Sequence, residues 1–234
     1  MKKSQIVTWL IFLLVAPATL ILGSKLPGRW YYLTSTLIVA ELLIPFFLTF
    51  EGRKPLAREL VVIAVMCALS VAARVAIPIP NFKAIYGIVM IAGIALGAES
   101  GFLVGAVSAM ASNFFLSQGP YTPWQMMAYG AGGMLAGFLF RKGRLPRKPL
   151  IMGVVGFLGV LFLVGPLLDT CTLFLAPVTL SLKTVLAIYG SGLPVNISQG
   201  LSTFAVLFLL GKPLLEKLDR IKVKYGMMEG ENGL

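Results

Sequence analysis

The chain has 234 residues, 58% of them hydrophobic and 12% charged, with a formal net charge of +11 and a mean hydropathy of +0.90. A soluble domain carries about 25% charged residues and leaves roughly a quarter of its unfolded surface wet, so a water-soluble globular fold is excluded and an integral membrane protein is indicated. The absence of histidine excludes Ser-His triads, the common His-ligated zinc sites and H-E-x-x-H metalloproteases, and no G-x-x-x-x-G-K-[ST] run is present to bind ATP through a P-loop.

A spanning helix needs about 20 apolar residues to cross a hydrocarbon core of about 30 Å. The first apolar run, residues 5–23, follows Lys2 and Lys3. It is long for a signal peptide, and Leu20-Ile21-Leu22 is not a small-residue cleavage site. A second run, 31–50, comes after a short turn holding Pro27 and Gly28, so the two read as a helical hairpin. The third, 57–77, is stopped by Pro78 and Pro80. Residues 84–116 would make one helix of about 50 Å, too long for a single span, and a break is expected near Glu99 and Ser100. A span over 124–140 follows, then one over 150–170. Residues 171–193 are interrupted by Pro177, Lys183, Gly190 and Gly192, and read as an outer segment. The run 195–210 then leads into a charged tail. Cys67 and Cys171 fall in or beside apolar segments and read as small apolar fillers rather than a disulfide.

Lys and Arg favour the cytoplasmic side of a membrane. With the chain starting inside, 84–116 divided and 171–193 kept outside, eight spans result. The inside then holds fifteen basic residues: Lys2, Lys3, Arg53, Lys54, Arg58, Arg141, Lys142, Arg144, Arg147, Lys148, Lys212, Lys217, Arg220, Lys222 and Lys224. The outside holds four, Lys25, Arg29, Lys83 and Lys183, and Arg74 lies within a span. One undivided helix over 84–116, or a span over 171–193, breaks this asymmetry badly. The expected fold is an all-α polytopic membrane bundle of about eight spans with both termini cytoplasmic. The net charge is a topology signal, and no nucleic-acid partner is expected.

Several side chains stand out against this background. Ala64, Ala68 and Ala72 are four residues apart and share a helix face. Such a strip suits close approach of a helix, either a partner's or one within this chain. Gly93, Gly97, Gly101 and Gly105, then Gly133 and Gly137, repeat the device and read as tight packing inside the bundle. The loop Ser117–Gln125 brings Asn113, Gln118 and Gln125 to one outer mouth, with Tyr121 and Trp124 as interface anchors or ligand contacts. Asn196 and Gln199 open the last span at i and i+3 and at the same outer depth. Amides and aromatics at that depth suit a polar small molecule. Glu41 lies in mid-span, where a charge is costly; it reads as neutral or paired, with Arg74 a candidate partner, or as a proton carrier. Asp169 lies at the outer end of its span and either faces a ligand or caps polar backbone.

The alanine ladder, the loop Gly119-Pro120-Tyr121-Thr122-Pro123-Trp124-Gln125 and the closing Gly190-Ser191-Gly192-Leu193-Pro194 occur in one order. Together they resemble the S-component of an energy-coupling factor (ECF) vitamin transporter. The resemblance covers about residues 57–225, implying a six-helix S-component core, with 1–56 as an added transmembrane hairpin and 226–234 as a cytoplasmic tail. It implies a multi-pass subunit of a bacterial plasma membrane that binds a vitamin at the outer side and does no chemistry itself. Its alanine strip, Ala64, Ala68 and Ala72, would dock on a transmembrane coupling subunit carrying two cytoplasmic ATPases. The longer form with the hairpin is most similar to the cobalamin-specific members. No cofactor and no metal site are implied.

The residues bear on the substrate as well. With Asp169 the only acid near the mouth, a cationic vitamin such as thiamine is disfavoured. The carboxamide rim of cobalamin suits amide partners, as do riboflavin and other neutral ligands, and segment 171–193 would serve as a flap. The expected ligand contacts are Asn113, Gln118, Tyr121, Trp124, Gln125, Asn196 and Gln199. The competing reading is a stand-alone proton-coupled carrier using Glu41; a membrane enzyme is the weakest.

Overall fold

The structure, a computed structural model, describes residues 57–76, 81–176, 178–179 and 181–226, with residues 15, 18–19, 33–34, 36–37, 39–41 and 43–44 of the N-terminal region. The expected run 5–23, most of 31–50 and the tail beyond residue 226 lie outside the described residues. Among those described the chain is all-helical: α1 Ala57–Ala76, α2 Ala84–Leu96, α3 Ala98–Leu116, α4 Thr122–Leu139, α5 Pro149–Leu175 and α6 Leu182–Lys224. A short 3-10 turn, Arg141–Gly143, joins α4 to α5. By length and apolarity α1, α5 and α6 are candidate membrane spans.

The burial pattern explains the short elements. All 13 residues of α2 are buried, so this helix of about 20 Å meets protein on every side and has no lipid-facing surface. A helix that is apolar all round belongs inside a bundle. α1 buries one stripe only, Glu59, Ile63, Met66, Cys67 and Ser70, the i, i+3, i+4, i+7 spacing of a single face.

The break within 84–116 falls at Gly97, two residues before the expected position. Gly97 has φ 96°, a backbone conformation that glycine adopts without steric cost. Glu99 and Ser100 instead continue α3, where the Ser100 hydroxyl donates to Glu59 Oε1 at 3.3 Å. Polarity alone does not end a helix when the side chain finds a partner; a reversed φ does.

A larger difference concerns the expected outer flap. Residues 171–175 complete α5, and 182–193 form the first turns of α6, a 43-residue helix running through Pro194 and Pro213. Only the stretch 176–181 connects them. Proline removes one helical hydrogen bond, but one lost bond does not end a helix whose flanking turns are intact. Proline also leaves its mark on α5, where the π-helical turn Val160–Val164 precedes Pro166 and accommodates its ring.

Side-chain contacts set the two ends of the bundle. At one end Arg147 Nη2 and Lys222 Nζ donate to the carbonyls of Ile94 and Ala95 at 3.3 and 2.6 Å. Cations here satisfy the last carbonyls of α2 and its negative dipole end. Arg147 also pairs with Asp219 at 2.9 Å, and Arg58 bonds the carbonyl of Tyr225. Burial pushes the Lys222 ammonium down from the usual lysine range, against the pull of Asp219. The opposite end gathers Arg74, Asn113, Gln125, Gln199 and Asp169. Of the N-terminal region, Val39 and Leu43 are buried in a cluster with Phe102, Ala106, Trp124 and Cys171. Cys67 and Cys171 are buried and free.

Candidate ligand-binding site

The polar end is built around Arg74, in the last turn of α1. Its Nη1 donates to Ser112 Oγ at 2.5 Å and to Asn113 Oδ1 at 3.0 Å, and its Nη2 to Gln125 Oε1 at 3.4 Å. Asn113 is itself buried and donates to Gln125 Oε1 at 2.8 Å and Thr122 Oγ1 at 3.0 Å. These groups come together because α3 and α4 are joined by a tight turn, in which Gly119 N donates to Thr122 Oγ1 and Thr122 N to the Gly119 carbonyl. Pro123 at the start of α4 presets its first turn.

The belt continues across the bundle. The Arg74 guanidinium lies 5.4 Å from the centroid of the Tyr129 ring, a cation–π contact. Tyr129 meets Tyr86 edge-on at 4.8 Å. The Tyr86 hydroxyl donates to Gln199 Oε1 at 3.1 Å. Side chains from α1, α2, α3, α4 and α6 thus form one continuous strip. A satellite pair completes it, with Asn196 Nδ2 donating to Asp169 Oδ2 at 2.7 Å. Gly165 and Gly192 make room for that pair: a Cβ at Gly165 would collide with the Asn196 amide, and one at Gly192 with the Asp169 carboxylate. Beside α2, burial and then the charge of Arg74 hold Lys83 below the usual lysine range.

The seven expected contact residues therefore divide. Asn113, Gln125 and Gln199 join the belt, and Asn196 lies one helical turn from Gln199. Gln118 is an exposed latch of the loop: its Oε1 accepts from Thr122 Oγ1 and its Nε2 donates to the Met110 carbonyl. The Tyr121 hydroxyl donates to the Ser117 carbonyl. Trp124 is buried and stacks on Phe174 at 5.7 Å, within the cluster that receives Val39 and Leu43. Successive helical residues point about 100° apart, so Gln125 faces the belt while Trp124 faces α5 and the N-terminal region. The suggested Glu41–Arg74 pair does not form. Glu41 Oε1 accepts from Thr19 Oγ1 at 2.7 Å, and the guanidinium bonds the neutral groups above.

Arg74, Ser112, Tyr86 and Tyr129 were not singled out as ligand contacts. The available signal was a lone arginine in an apolar run, since an intramembrane cation marks a functional site by default. Alanine at Asn113 or Gln125 is expected to weaken ligand binding about 5- to 150-fold, the loss of one buried hydrogen bond at about 1–3 kcal/mol. Gln118→Ala is expected to change it less than twofold. Calorimetry on the three variants checks the division.

The fold and site define a membrane helical bundle with an internal polar belt at one end. Residues 56–217 match the family described as ECF-type riboflavin transporter, S component, and the chain belongs to that family, which is one of transport subunits. No curated protein and no solved structure matches it.

Proposed function

We propose that the protein captures a vitamin at the outer face of a bacterial plasma membrane and delivers it inward when docked on an ECF coupling subunit with two cytoplasmic ATPases. The observation that carries this reading is the family match over residues 56–217, laid over a belt whose residues converge from five helices at one end. The opposite end, rich in Arg and Lys, is the cytoplasmic one by the basic asymmetry. The proposed topology therefore keeps eight spans with both termini inside. Ala64, Ala68 and Ala72 are exposed on α1, away from its buried stripe, and are the proposed docking strip.

Cobalamin is the proposed ligand. Its carboxamide rim complements Asn113, Gln125, Asn196 and Gln199, and a carboxylate partner for a cationic vitamin is limited at this end to Asp169. Riboflavin is the second reading, favoured by the family's description and by the same amides, which suit the donor and acceptor edge of its ring.

Titration of the detergent-purified protein with cyanocobalamin and with riboflavin tests the substrate. Tight binding of cyanocobalamin alone is expected; tight binding of riboflavin alone replaces the first reading by the second. Co-purification with a coupling subunit and ATPases is expected, whereas transport by the chain reconstituted alone would overturn the role. For the topology, a single cysteine at position 144, in a background without Cys67 and Cys171, is expected to resist labelling from outside intact cells. Labelling there would sink the eight-span arrangement.

A further inference from the structure

We infer that the ligand carries an oxyanion, of the phosphate-ester type, and that Arg74 receives it with Lys83 alongside. The inference rests on the reading of the belt end as the vitamin site and narrows the chemistry that site accepts.

Among the described residues the guanidinium is held by neutral groups. It has five N–H donors in a planar fork. Two are spent on Ser112 and Asn113, and one makes a long bond to Gln125. Nε is buried and has no hydrogen-bond partner. Arginine in a low-dielectric setting is stabilised when a carboxylate or phosphate faces that fork in two-pronged fashion, and among the described residues no such group does. Asp169, the carboxylate at this end, is engaged by Asn196, and Glu41 accepts from Thr19 through Oε1 alone. Among the described residues no carboxylate lies within ion-pair distance of Arg74 or Lys83.

Lys83 adds a second cation at the same end. Its backbone N–H bonds Ser202 Oγ at 3.1 Å, which fixes it against α6 close to Gln199, and it feels the repulsion of Arg74. Two like charges near each other, with no carboxylate paired to either among the described residues, repel and favour a counterion. A fold with only a structural need for a polar group there would be served better by glutamine. A ligand oxyanion relieves the repulsion, filling the free Nε–H and the weakly used Nη2 of Arg74 while Asn113 and Gln125 hold the fork in place. The Tyr129 ring lies against the guanidinium, 5.4 Å from its centroid, and limits its swing.

The test uses two ligand pairs that differ in a phosphate group: cobinamide phosphate against cobinamide, both as the dicyano forms, and flavin mononucleotide against riboflavin. Affinities are measured for the wild type, Arg74→Gln, Arg74→Lys and Lys83→Gln. Within the pair that binds, the wild type is expected to hold the phosphate-bearing member more tightly. Arg74→Gln is expected to weaken that member at least tenfold and the other less than twofold, with partial recovery in Arg74→Lys. Lys83→Gln, placed outside the helices, is expected to weaken the same member about threefold and serves as the readout if Arg74→Gln does not fold. Equal effects on both members, or tighter wild-type binding of the member without phosphate, would overturn the inference while leaving the vitamin reading intact. Failure of the wild type to bind either pair would remove the vitamin reading itself, and the inference with it.

Discussion

Replacing Gly133 by alanine is expected to destabilise the bundle by about 3 kcal/mol or more, enough to remove most of the folded protein, whereas Gly132→Ala next to it costs about 1 kcal/mol. The difference lies in what the new methyl group meets. At Gly133 it would run into the Gly101 carbonyl oxygen, with the Gly101 carbonyl carbon at 2.7 Å and Val89 Cγ1 at 2.8 Å. The clash is reciprocal, since a Cβ at Gly101 would stand 2.6 Å from the Gly133 oxygen and from Gly93 Cα. Here α2, α3 and α4 touch backbone to backbone, and a backbone cannot rotate aside as a side chain does. At Gly132 the nearest atoms are side-chain methyl groups, Val164 Cγ2 at 3.0 Å and Met90 Cε at 3.5 Å, with no backbone atom of a neighbouring helix within 4 Å. Gly190, with nothing within 4 Å, supplies the control. Its change to alanine is expected to be neutral or to stabilise α6 by up to about 1 kcal/mol, the helix-propensity difference. Thermal unfolding of the three variants in one detergent gives the order; equal midpoints for Gly133→Ala and Gly132→Ala would refute it.

Tryptophan at Ala64 is expected to abolish vitamin uptake and to leave ligand affinity within about twofold. Ala64 lies ten residues from Arg74, about 15 Å along the helix, and it is exposed. Val61 and Val65 beside it are 62% and 59% exposed, so this face of α1 is apolar and uncovered by the described residues. Small residues let helix backbones approach in lipid, and an indole there would hold a partner helix off. Ala68→Trp is expected to act likewise. It would enter a groove of about 430 Å³ between α1 and α3, lined by Ala68, Val71, Ala72, Val75, Ala111 and Phe115. Uptake in cells expressing the coupling subunit and ATPases, set beside calorimetry on the isolated protein, separates docking from binding. Parallel loss of both would mean that the substitution damages the bundle.

Much of the helical plan follows from properties that act locally along the chain. Apolar runs of spanning length, Pro78 and Pro80 after α1, and Pro123 opening α4 are each legible without a partner. So are the glycine spacings at 93, 101, 133 and 137, because a missing Cβ marks close packing whatever lies opposite. The match to a transporter family agrees with the motifs that occur in order along 57–225. Local reasoning misplaced the break at Gly97, because it weighed the polarity of Glu99 and Ser100 over the φ of one glycine. It also began α6 too late, at residue 195, reading Pro194 as a boundary where the helix, which starts at Leu182, tolerates it.

What the linear chain determined by itself is an all-helical membrane protein and the amides that fall near the ends of its helices, since hydropathy and helical spacing are carried by neighbours in sequence. Which of those amides join one hydrogen-bonded belt was decided only by the tertiary structure. A helix turns about 100° per residue, so Gln125 reaches Arg74 and Asn113 while Trp124, one step earlier, stacks on Phe174. The role of Arg74 is likewise a property of the assembled bundle: its partners lie 38, 39 and 51 residues away, and only their convergence sets a guanidinium among neutral oxygens with its Nε left over.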